Sequence, residues 1–134
     1  MRARGRSRDR SRGQALVETA IVVPLMLLLF MATVDAGRLL FAYIALEEAV
    51  QEGATYASQM PTDFSGIRSR VTTSSDHREV TNATVPDPVC TSATVSVTAS
   101  YPMPVLTPLA GALFGGTITL GSTVVATNLQ GTCS

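Results

Sequence analysis

The chain contains no lysine and no tryptophan, and it has one histidine and two cysteines among its 134 residues. A single histidine excludes a metal centre built from several histidines, and the two cysteines form no C-x-x-C motif. Without lysine, the glycine-rich segment from Gly111 to Gly116 lacks the side chain that a nucleotide-binding loop requires. The sequence therefore predicts a protein that is not an enzyme and that binds no cofactor and no metal.

Charge is distributed unevenly along the chain, although the formal net charge is zero. Residues 1–13 carry six arginines and one aspartate, for a net charge of +5, whereas residues 14–134 carry a net charge of −5. We expect this basic leader to be disordered, because it has no large apolar residue after Met1. Arginine-rich arms can bind nucleic acid, but basic residues beside an apolar segment also hold a terminus in the cytoplasm. We prefer the topology signal, and no nucleic-acid partner is predicted.

An uncharged, apolar pattern dominates the segment from Ala15 to Val34, interrupted only by Glu18. About 20 residues is the length that a helix needs to cross a hydrocarbon core about 30 Å thick. A cleaved secretory signal has a shorter apolar region and a small-x-small exit, and here the helical pattern continues past Asp35. The segment predicts a single-pass protein of the cytoplasmic membrane, with its N-terminus in the cytoplasm and its C-terminal domain outside.

The helical period continues beyond the apolar segment and ends before Pro61. Residues 14–60 are therefore predicted to be one transmembrane and extended helix, about 66 Å long between Leu16 and Gln59. Asp35 and Arg38 lie one turn apart and are expected to pair where the helix leaves the bilayer. A stripe of small residues requires cover from the following domain or from another helix. Its members are Leu39, Ala42, Leu46, Ala49, Gly53 and Ala57.

The remaining residues divide into a polar connector, 61–89, and a small β-domain, 90–134. In the connector, Asp63 is a plausible N-cap for a short amphipathic helix. In the β-domain, residue alternation predicts strands over 92–101 and 117–128, the second interrupted at Gly121 by a bulge or bend. The apolar residues 109–114 between the strands are interpreted as a loop packed under the sheet, which we prefer, or as a patch offered to a partner. The predicted fold class is α+β, with one long N-terminal transmembrane helix and a small β-rich extracytoplasmic domain.

The two cysteines flank the predicted strands, since Cys90 precedes the first and Cys133 follows the second. If the strands pair antiparallel, the start of one lies near the end of the other, and a disulfide would connect the C-terminal tail to the sheet. Thiols outside the membrane usually become oxidised. Two free thiols, or thiols that pair between molecules, are the alternatives.

The junction of the leader and the apolar segment resembles the processing site of type IV prepilins. The matching residues are Arg10-Ser11-Arg12-Gly13-Gln14-Ala15-Leu16-Val17-Glu18. The resemblance implies that prepilin peptidase cleaves between Gly13 and Gln14, and that Glu18 pairs with the new terminal amine of a neighbouring subunit. An acidic residue at the bilayer centre is unfavourable by roughly 2.5–3.5 kcal/mol and by less near the interface, so an intramembrane carboxylate itself indicates function.

More of the chain resembles the TadE-like family, the minor pilins or pseudopilins of tight-adherence pili. In the membrane half the resemblance is carried by Gly13–Glu18, Pro24–Leu29 and Asp35–Leu39, and in the last third by Val97–Pro104 and Leu113–Leu120. It implies a role in assembly of a surface pilus used for adhesion. The implied partners are prepilin peptidase, other pilin-like subunits, a pilus ATPase and an inner-membrane assembly platform. Two alternatives stay open, an unprocessed signal-anchored envelope or surface protein with no pilus role and a membrane-bound enzyme.

Overall fold

The computed structural model describes residues 6–73, 82–108, 111–112 and 115–133. Two helices precede three strands, in the order α1 (Arg6–Gln59), α2 (Phe64–Thr73), β1 (Val89–Cys90), β2 (Thr94–Pro104) and β3 (Thr117–Thr127). The strands form one antiparallel sheet in the order β1-β2-β3. The prediction of an α+β fold, with one long N-terminal apolar helix followed by a small sheet, is confirmed.

Helix α1 begins within the basic leader rather than after it. The helical backbone starts at Arg6, so the expectation of a disordered leader is wrong for residues 6–13, and residues 1–5 lie outside the described part of the chain. Arginine has a high helix propensity, and extending an existing helix adds one hydrogen bond per residue without a new nucleus. The helix runs through Pro24 and ends at Gln59, next to Pro61, as predicted.

The second half of α1 carries the core of the protein. Its stripe of small residues packs against both long strands of the sheet, β2 and β3, and against α2, so the chain's own domain covers it. The buried apolar residues of α1 are Ala42, Ala45, Leu46, Ala49, Val50, Ala54 and Ala57. Facing them are Val95, Val97, Ala99, Tyr101 and Met103 of β2 and Ile67 and Val71 of α2. At Gly53 a Cβ atom would run into Cγ2 of Val71, so this glycine permits the close approach of α2.

Strand β2 ends three residues later than predicted, because its two prolines face an edge at which no described residue pairs with them. The Ser100 amide donates to the Thr84 carbonyl at 2.9 Å, on the β1 side of the strand. Pro102 and Pro104 lie at alternate positions after Ser100 and face the same side, where β1 has already ended. A proline at such a position removes no strand-to-strand hydrogen bond.

The predicted interruption of the second strand at Gly121 is wrong. The pairing of β2 with β3 runs without a break from Thr94↔Thr127 to Pro104↔Thr117, and Gly121 lies opposite Ser100. The β-branched residues on both sides of this glycine favour extended backbone, and they keep the strand regular through it.

The short helix predicted in the connector is present, and Asp63 caps it. The Gly66 amide donates to Oδ1 of Asp63 at 2.9 Å, and the hydroxyl of Tyr56 donates to Oδ2 at 2.8 Å. The Gly66 hydrogen bond, followed by those from the hydroxyls of Tyr56 and Ser65, holds the pKa of Asp63 below its ordinary value. The capping carboxylate is therefore ionised at neutral pH, the form that accepts these hydrogen bonds.

Candidate processing and assembly site

Gly13 and Gln14 lie on the exposed N-terminal part of α1, far from the folded domain. Both residues have helical backbone and exposed surfaces, and a Cβ atom built on Gly13 would meet no other atom within 4 Å. The first side chain of α1 that contacts the domain's β2–β3 loop is Asp35, about 30 Å farther along the helix axis. The peptide bond between Gly13 and Gln14 is therefore clear of the chain's own domain.

Glu18 lies one helical turn after Gln14, at a spacing that places both residues on one face of α1. Its side chain is exposed. It is the only charged residue between Gly13 and Val34. If the chain is cut before Gln14, the new amine and this carboxylate are about 6 Å apart along the axis. A carboxylate in the first turns of a helix also interacts favourably with the helix dipole.

The apolar surface around Glu18 is bare in the single chain. We call residues 13–34 the bare segment, because every one of them except Leu28 is exposed. Its two threonines bond to their own helix, since the Thr19 and Thr33 hydroxyls each donate at 2.9 Å to the carbonyl four residues earlier. Such internal hydrogen bonds remove the need for water around these hydroxyls. The segment presents a surface suited to lipid or to other apolar helices. Its exposed large side chains are Leu16, Val17, Ile21, Val22, Val23, Leu25, Met26, Leu27, Leu29, Phe30, Met31 and Val34.

Asp35 directly follows the bare segment, and its hydrogen bonds connect α1 to the loop between β2 and β3. Its carboxylate accepts hydrogen bonds from the Leu106 amide at 3.3 Å, from the Thr107 amide at 2.7 Å and from the Thr107 hydroxyl. The predicted pair with Arg38 is present, with Nη1 4.0 Å from Oδ1. The sequence identified that neighbour because it lies one turn away, whereas nothing in the sequence pointed to Thr107 as the partner.

Cys90 and Cys133 lie together, joined by a disulfide, with their Cα atoms 5.8 Å apart. Asn128, which sequence reasoning missed, directs the tail back towards β1. Its side-chain amide donates to the carbonyls of Thr91 at 2.9 Å and Thr132 at 3.1 Å, and its carbonyl oxygen accepts from the amides of Gln130 and Gly131. The sequence Asn128-Leu129-Gln130-Gly131 carried a signal for this turn, since asparagine and glycine are the residues that tight turns favour.

Together these features define the class of protein. One long apolar helix continues into a small α+β domain and forms the central helix of that domain. The helix between Gly13 and Gln59 is long and apolar enough to cross a membrane, which fits a single-pass membrane protein. Among the residues that the structure describes, no three histidine, cysteine or acidic side chains gather into a metal site.

Residues 13–55 match the family model described as TadE-like protein. The resemblance to this family is therefore confirmed over a segment that contains Gly13, Gln14, Glu18 and most of the stripe of small residues. A match to this family indicates a protein associated with the tight-adherence pilus. The TadE-like family itself is a structural family. The resemblance over the last third of the chain lies outside this match and stays a prediction. No curated protein and no solved structure matches the chain.

Proposed function

We propose that the protein is a pilin-like structural subunit that acts in assembly of a tight-adherence pilus used for adhesion. The observation that carries the proposal is the bare segment, an apolar surface about 30 Å long with one carboxylate and no cover from its own domain. Such a surface is stable only against lipid or against the same surface of other subunits. Membrane and filament are the two environments that a pilin helix occupies in turn.

The proposed first step is removal of the leader by prepilin peptidase. Cleavage between Gly13 and Gln14 takes away a net charge of +5 and leaves an α-amine on Gln14. The reference pKa of such an amine is about 7.7–8.0, so it is largely protonated at neutral pH. The mature helix then has an ammonium group at its end and a carboxylate one turn later, with no further charged residue from there to Val34.

The proposed second step is pairing between subunits. Two parallel helices shifted by about one turn place the amine of one chain beside Glu18 of the next, where low polarity strengthens the attraction. A single polar pair in an otherwise apolar interface fixes register, because every other shift leaves a charge in lipid without a partner. Glu18 would thus select the stagger at which a new subunit joins other pilin-like subunits at the assembly platform.

Topology provides one test, because the basic leader is expected to hold the N-terminus in the cytoplasm. Trypsin added to intact cells, or to spheroplasts where there is an outer membrane, should cut at the exposed Arg68 and Arg70 and so separate the C-terminal strands from the membrane helix. The six arginines of the uncleaved leader should be spared until the membrane is permeabilised. Immunoblotting with tags at either end checks this, and a protected C-terminal domain in cells with an accessible leader would contradict the proposal.

Replacing Glu18 with glutamine tests the pairing step. Glu18→Gln keeps the side chain's size and removes its charge, so insertion and cleavage should stay close to those of the unchanged chain. Recovery of the protein in sheared surface filaments should fall at least about tenfold, equivalent to about 1.4 kcal/mol, because the amine of each neighbour loses its partner.

The matched control for that variant is Thr19→Val, at the next residue. The Thr19 hydroxyl bonds to the carbonyl of Ala15 within its own helix, so its loss should leave assembly unchanged. Equal filament recovery from Glu18→Gln and Thr19→Val would contradict a pairing role for Glu18.

A further inference from the structure

The loop between β2 and β3 spans residues 105–116, and its described residues, 105–108, 111–112 and 115–116, lie at the end of the sheet that faces the bare segment. At the opposite end, the Leu129 amide donates to the carbonyl of Ser58 at 3.0 Å, near the C-terminus of α1. The sheet therefore runs along α1 from Ser58 back to Asp35, where the Leu106 and Thr107 amides bond to the carboxylate. We call this loop the hairpin tip.

We propose that the hairpin tip inserts into the outer surface of the lipid bilayer beside α1, as a second membrane contact. This inference rests on the proposed function, in which the bare segment spans the membrane. Residues 15–34 then fill a hydrocarbon core of about 30 Å, and Asp35 lies in the outer interfacial layer. A loop held by hydrogen bonds to Asp35 lies at the same depth.

The composition of the hairpin tip suits that depth. Residues 105–116 contain no charged side chain, and charges are absent from all of residues 88–134. Leu106 is 64% exposed, and Pro108 and Ala112 are exposed beside it. The sequence adds Leu109, Leu113 and Phe114, and these residues, with the prediction that they pack under the sheet, lie outside the described part of the chain. Interfacial segments bury apolar side chains of this kind about 5–10 Å into the headgroup boundary.

Four described amides of the hairpin tip have hydrogen-bond partners within the protein. The Val105 amide donates to the Gly116 carbonyl at 3.0 Å and closes the neck of the loop. The Gly111 amide donates to the Thr107 carbonyl at 2.8 Å, and Asp35 accepts from the amides of Leu106 and Thr107. Because an amide without a partner is strongly unfavourable in lipid, these hydrogen bonds make this part of the loop compatible with a lipid contact.

The absence of tryptophan permits a test with single-tryptophan reporters in the full chain. Leu106→Trp reports on the hairpin tip, and Phe30→Trp, in the bare segment at a position 69% exposed, reports on the span. Val125→Trp is the matched control, since Val125 is 62% exposed on β3 and about 27 Å along the strand from Thr117. Each variant is reconstituted in phosphatidylcholine vesicles, with and without bromine on the acyl chains.

We expect brominated lipid to quench Phe30→Trp strongly and Leu106→Trp by at least half, with blue-shifted emission, and to leave Val125→Trp unchanged. Quenching of Leu106→Trp no greater than that of Val125→Trp, with Phe30→Trp quenched, would overturn the hairpin-tip contact and leave the anchor intact. Blue-shifted emission from Leu106→Trp without quenching would instead indicate cover by protein, such as a second copy, and would overturn the lipid contact. An unquenched Phe30→Trp would overturn the span and this inference together.

Discussion

Gly13→Arg is expected to leave the protein in the membrane at full length, with the leader still attached, whereas the unchanged chain is expected to begin at Gln14. The substitution places a long, charged side chain directly before the bond that prepilin peptidase is proposed to cut. It should not disturb the fold, because a Cβ atom at Gly13 meets nothing within 4 Å. Mass spectrometry of the N-terminal peptide from native membranes should show cleavage falling from nearly complete to nearly absent.

The matched control for this variant is Gly13→Ala, which adds one methyl group and no charge at the same open position. It should insert as the unchanged chain does and should retain far more cleavage than Gly13→Arg. The decisive observation is the N-terminus of the unchanged protein in cells with an active prepilin peptidase. If it remains Met1, the pilin proposal fails, and the unprocessed signal-anchored envelope protein becomes the better description.

The parts of the fold that could be predicted are those set by local periodicity. The three- and four-residue spacing from Leu39 to Ala57 predicted both the continuation of α1 and the face that the domain covers. The alternation of Val95, Val97 and Ala99 predicted a strand and its buried side. Even the cap at Asp63 was visible, because a capping residue acts on amides two or three places away. In each case the residues that determine the helix, strand or cap lie within a few positions of it in the sequence.

The parts that could not be predicted depend on contacts between residues distant in sequence. Asp35 carries no sign that its partner is Thr107, because the two meet only once the sheet lies along α1. The first strand was predicted to end at Tyr101, and it continues through Pro102 because β1 is too short to pair beside that proline. The candidate site shows the same division: Gly13, Gln14 and Glu18 form a compact motif, whereas the proposed depth of the hairpin tip rests on contacts made only in the tertiary fold.

Replacing Cys90 and Cys133 with alanine is expected to lower the domain's free energy of unfolding by about 4 kcal/mol. The bridge closes a loop of 43 residues, and in the chain-entropy model a loop of that length restricts the unfolded chain by about this amount. The native domain has few other stabilising contacts at this edge of the sheet to offset the loss of the bridge. Strand β1 has two residues and is paired at Val89↔Ser96 and Cys90↔Val95 only, and aromatic residues form 5% of the chain.

Urea unfolding of the full chain in detergent micelles, followed by the fluorescence of its three tyrosines, of which Tyr101 is buried in the domain, measures this change. Reductant should shift the unchanged protein to the midpoint of the double variant and should leave the double variant itself unaffected. Peptide mapping without reduction should recover Cys90 and Cys133 in one linked species. Two free thiols in protein isolated from cells would contradict the bridge. They would also weaken the proposed topology, since a domain outside the cytoplasm is where a pair of cysteines this close becomes oxidised.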